Sequence, residues 1–138
     1  MKKLPDAEAA CALVLRNAPD SATWMVGSFV ERLFEDATFD AAACRELQAA
    51  LLALIDAPVL VAQCDRHVFG IYRLVAMQLR CHLNPNDVCG VDNLADDAVI
   101  DLKNRFDHVI GSYFSREPFD IDTWWKQWPG VAGGRFPG

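Results

Sequence analysis

A chain of 138 residues with 13 lysines and arginines against 19 aspartates and glutamates is long enough for one self-sufficient hydrophobic core and carries a net charge of -6. A surface of that average sign repels nucleic acid and anionic lipid, which argues against direct binding to either. The most apolar run, Ala57 to Ala62, ends at Gln63, Asp65, Arg66 and His67, too soon for a membrane span, and Met1, Lys2, Lys3 lead into Pro5, Asp6 and Glu8 instead of an apolar signal core.

Apolar residues recur at spacings of three and four and no alternating strand pattern appears, so the expected fold is all-α, a compact single-domain bundle of five to six helices. The first helix is expected from about Pro5 to Asn17, with Asp6 and Glu8 near the positive end of its dipole. Pro19 and Asp20 interrupt the chain. A second is expected from about Ser21 to Asp36, burying Val26, Phe29, Val30, Leu33 and Phe34. Asp40 suits the N-cap of a third helix, which carries Cys44, Leu47, Leu51, Leu54 and Ile55 up to Asp56.

Pro58 opens the longest helix, and Asn84 with Pro85 ends it after Leu83. Its apolar residues go most of the way round, leaving a narrow strip at Arg66, Arg73 and Arg80, as expected of a helix wrapped by its neighbours. These arginines are spaced to bind an anion or, more economically, to pair with the aspartates between Asn84 and Leu102. Asp92 or Asn93 is a candidate cap for a fifth helix through Phe114, with Val99, Leu102, Phe106, Val109, Ile110 and Tyr113 as its seam. A short sixth helix is expected within DIDTWWKQW, completing a helical domain over residues 1–128. The glycine- and proline-rich stretch from Pro129 to Gly138 reads as a flexible tail.

The most informative feature is a stretch from Asn84 to Leu102 that holds Asp87, Asp92, Asp96, Asp97 and Asp101 and no lysine or arginine. A solvated face explains part of it, because Asp96 and Asp97 suit a helix first turn and Asp87 and Asp92 suit turns. Asp101 follows Asp97 by one turn, a like-charge spacing that costs a helix a few tenths of a kcal/mol unless a cation such as Arg105 relieves it. The functional alternative is a surface for a basic partner. Three tryptophans, Trp124, Trp125 and Trp128, cannot share one helical face, so Trp125, beside Asp120 and Asp122, is expected to stay exposed as an interface anchor while Trp124 or Trp128 plugs the bundle.

Chemistry-bearing patterns are sparse, and no catalytic role is assigned. Asp97, Asp101, Asn104 and His108 share a helical face, but one helix supplies neither a nucleophile nor oxyanion donors. Cys64 with His67, and Cys81, His82, Cys89 and His108, include metal-type ligands at spacings that match no zinc pattern, so no metal or cofactor is expected. The five cysteines, four of them among apolar residues, read as reduced thiols of a cytoplasmic protein.

A small acidic helical chain with Asp87 to Asp101 and DIDTWWKQW as its lopsided features resembles the immunity proteins that bacteria make against their own toxins, especially those of contact-dependent growth inhibition systems. The resemblance implies a non-enzymatic inhibitor whose partner is a cognate toxin domain, often a nuclease, with active site or substrate surface masked. It implies partner-binding roles for Asp87, Asp92, Asp96, Asp97, Asp101, Asp120, Asp122 and Trp125, and direct contact with neither nucleic acid nor membrane. Two rival expectations remain: a small helical enzyme or metal protein using Asp97, Asp101 and His108, and an adaptor that self-associates through its tryptophan-bearing end.

Overall fold

The computed structural model describes residues 4–86 and 89–126. Its described elements are all helical: α1 (Ala7–Asn17), α2 (Phe29–Glu35), α3 (Ala41–Ile55), α4 (Pro58–Leu83), α5 (Asp96–Phe114) and α6 (Ile121–Lys126). Side chains set several starts. Asp6 accepts from the Ala9 N–H at 2.8 Å, Ser28 from Glu31 at 3.3 Å and Asp40 from Ala43 at 3.0 Å, each satisfying a donor the helix leaves orphaned. Pro58 occupies the first turn of α4, where a missing N–H costs nothing.

The core is one cluster around α4, which packs against α1, α2, α3 and α5, while α6 lies on α3. Val61, Cys64, Val68, Ile71, Val75 and Leu79 of α4 are buried, as is the expected α5 seam from Val99 to Tyr113. The α4 helix is less enclosed than expected, since Val59 and Phe69 stay exposed. At the end of α5, Arg116 adopts a left-handed φ of 59° and its guanidinium reaches Asp65 on α4 at 2.7 Å. The Tyr113 hydroxyl donates to the Val61 carbonyl at 3.3 Å, and burial pushes its phenol well above the usual range. Among the described residues no helix is long and apolar enough to cross a membrane.

The second helix is shorter than its periodicity implied. Residues 21–28 form turns, with Val26 83% exposed and Phe34 42% exposed, whereas Phe29, Val30 and Leu33 are buried. Gly27 sits at φ +91°, a conformation no helix continues through, and Ser21 accepts from the Thr23 N–H, an alternative to helical pairing. Asn17 then links the pieces, donating to the Leu13 carbonyl and accepting from the Val30 N–H at 3.1 Å. Among the described residues no ion pair joins the arginine strip to the acidic stretch. Arg66 reaches Asp20 at 3.5 Å and Arg73 lies over the Phe69 ring. The Asp20 carboxyl is held below its ordinary range chiefly by its hydrogen bond with His67.

Candidate functional site

The acidic stretch begins where α4 ends and is fastened at successive points. Cys81 and Cys89 are joined by a disulfide with Cα atoms 5.7 Å apart, which ties the end of α4 to the start of the following loop. This corrects the expectation of five reduced thiols: Cys11, Cys44 and Cys64 are free, and the argument for a cytoplasmic protein from its thiols falls away. Buried Gln78 donates to the Gly90 carbonyl at 2.6 Å. His82 accepts the Val91 N–H on Nδ1 at 2.9 Å, so its proton sits on Nε2 and points at Asp96 Oδ1, also 2.9 Å away. A Cβ on Gly90 would lie 3.2 Å from that same Nδ1, which explains the glycine.

Past the bridge the chain docks on the segment between α2 and α3. The Asp92 N–H donates to the Ala37 carbonyl at 2.7 Å, and Ala37 itself holds a left-handed φ of 50°. Asn93 makes a two-point clamp: its Oδ1 accepts the Phe39 N–H and its Nδ2 donates to the Phe39 carbonyl, both at 2.8 Å. Neither Asp92 nor Asn93 caps α5, whose N-cap is Ala95 without a side-chain bond. Val91 and Leu94 are buried, so the loop points its apolar side inward and leaves Asp92, Asp96 and Asp97 exposed.

The remaining expected partner residues fare differently. Asp87 lies outside the described residues. Asp101 is tied to Arg105 Nε at 2.5 Å, the relief its spacing called for. Asp120 begins α6, accepting from the Thr123 N–H and hydroxyl, and Asp122 pairs with Arg45. Trp125 is buried at 2%, its indole N–H donating to Gln48 Oε1 at 2.9 Å, which corrects its assignment as the exposed anchor. The face of α6 that docks on α3 is the one bearing this ring, and buried Gln48 needs its donor. The side chain of Trp124, all of Trp128 and the tail from Pro129 lie outside the described residues.

No protein-family model, curated protein or solved structure matches this chain.

Two recesses open on the surface, the first of them beside Asp101. A cleft of about 470 Å³ is lined by Asp101, Asn104, Arg105, His108, Asp120 and Thr123 over Val109 and Phe119. It gathers Asp101 and His108 but not Asp97, so the trio considered for acid–base work is not assembled around it. Its carboxylates are already bonded to Arg105 and Thr123, which suits holding a polar side chain better than moving protons. A wider apolar groove of about 950 Å³ runs between α1, α3 and α6, past Leu4, Leu13, Leu52 and Ile121. Among the described residues no three His, Cys, Asp or Glu side chains converge as metal ligands would. The clamp of Asn93 had no sequence signal beyond an ambiguous cap, because its partner is 54 positions away.

Proposed function

We propose that this chain is an immunity protein that binds a cognate basic toxin domain, a nuclease by preference, and masks its active site or substrate surface. The observation that carries the reading is the fastening of the acidic loop. A carboxylate run that merely solvates a face needs no two-point side-chain clamp and no histidine bridge. A loop meant to meet a partner gains from both, with or without the disulfide, because ordering it beforehand lowers the entropic cost of binding. A nuclease must present lysines and arginines to hold phosphates, and an exposed row of carboxylates competes for that surface while steering the encounter. Inhibition needs complementarity alone, so a catalytic set has no part in it.

The same reading places the protein in the cytoplasm, where a nuclease meets its substrate. There the Cys81–Cys89 bridge faces reducing thiols. Alkylating cells at the moment of lysis tests the placement: both cysteines should be found largely as free thiols, and a bridge intact in nearly every chain argues for an oxidising compartment.

The decisive test uses the cognate toxin domain, which this reading expects to be encoded beside this chain. Co-expression should abolish its toxicity. Replacing Asp92, Asp96 and Asp97 together by Asn should slow association about tenfold at low salt and flatten the salt dependence of the on-rate, with little change in melting temperature. Full protection and unchanged kinetics in the triple variant would remove the acidic loop from the interface.

A further inference from the structure

We propose that Cys11 and Cys64 are a second, oxidant-responsive cross-link, joining α1 to α4. Their Sγ atoms stand 2.9 Å apart, within about 1 Å of disulfide bonding length, across the seam where the two helices pack. The pair divides the labour that thiol–disulfide exchange requires. Cys11 is partly exposed on the outer side of the seam, within reach of a small disulfide such as oxidised glutathione. Cys64 is fully buried behind it, and burial raises its thiol above the ordinary range, so it does not react with solvent-borne oxidant first.

The Cys11 thiolate attacks glutathione disulfide, forming a mixed disulfide and releasing one glutathione thiolate. Cys64 then attacks the Cys11 sulfur, the second glutathione leaves, and the proton from Cys64 goes to it. Two protein thiols are oxidised to one disulfide, and one glutathione disulfide is reduced to two glutathiones. The third free cysteine, Cys44, is fully buried and has no sulfur partner among the described residues, so it stays outside the exchange. With both bridges formed, four of the five cysteines are paired and the odd one is Cys44.

Such a bridge has a physical consequence that two core thiols lack. It ties the first helix to the central one across 53 positions, restricting the unfolded chain more than the 8-position Cys81–Cys89 loop does. Oxidation therefore converts α1 from a packed helix into a covalently held one.

The test incubates the purified full-length chain with glutathione disulfide, then unfolds and alkylates it for mass spectrometry. The expected result is one alkylated thiol, at Cys44, a peptide joining Cys11 to Cys64, and a melting temperature higher by roughly 10 °C than that of the unoxidised chain. Cys11→Ser should keep Cys44 and Cys64 alkylatable, take up no glutathione and show no such shift. Cys64→Ala should stop at a glutathione adduct on Cys11. A stable adduct on Cys11 in the natural chain, or three alkylatable thiols after oxidation, would overturn the proposal.

Discussion

Trp125→Ala is expected to lower folding stability by about 3–5 kcal/mol, the usual loss for truncating a buried tryptophan, and to drop the melting temperature by roughly 10 °C or more. The ring is 2% exposed and is the anchor of α6, a helix of only 6 residues that could not persist without tertiary support. Its ion pair partner-in-hold, Asp122 with Arg45, is mostly solvent-facing on the carboxylate side and contributes at most about 1 kcal/mol. Loss of the indole N–H compounds the cavity, because Gln48 Nε2 already lacks a hydrogen-bond partner among the described residues and Oε1 would then lack one too. Gln48→Leu in the Trp125→Ala background should therefore recover part of the loss. A shift of only a few degrees in the single variant, with weakened partner binding, would return this ring to the surface.

The bundle was legible wherever a local signal coincided with a long apolar seam. Asp40, Pro58 and the Asn84–Pro85 pair mark the bounds of α3 and α4 because capping and proline sterics act within a few residues. Periodicity failed at α2 for a reason of the same local kind: spacing reports a face, not whether the chain stays helical, and Gly27 at φ +91° breaks it. Trp125 was misplaced because three rings on a short helix leave undecided which face docks. The missing clue was Gln48, a polar residue on the buried side of α3 that demands a partner. Apolar spacing likewise cannot separate a core thiol from a paired one, so Cys81 passed as core-like although the fold sets it against Cys89. The acidity of the candidate site was plain in the chain, but its fastening was not, since Asn93 meets Phe39 only once the fold exists.

That fastening yields the sharpest test of why the loop is built this way. Asn93→Ala should cost about 2–4 kcal/mol, because the N–H and carbonyl of Phe39 each lose a partner in a part-buried setting. The more telling variant is Asn93→Asp. It keeps an acceptor for the Phe39 N–H, removes the donor to the carbonyl and sets a carboxylate against that oxygen, so the clamp opens while the loop gains negative charge. If charge alone draws the partner, this variant should associate faster and bind more tightly. If pre-ordering matters as proposed, the on-rate should hold or rise while dissociation accelerates about tenfold, for the partner must now order the loop itself. Hydrogen exchange at the Phe39 and Asp92 amides should report the same opening in the free protein. Faster association with unchanged dissociation, alongside loosened amides, would show that the partner reads only the charge and that the clamp serves the fold.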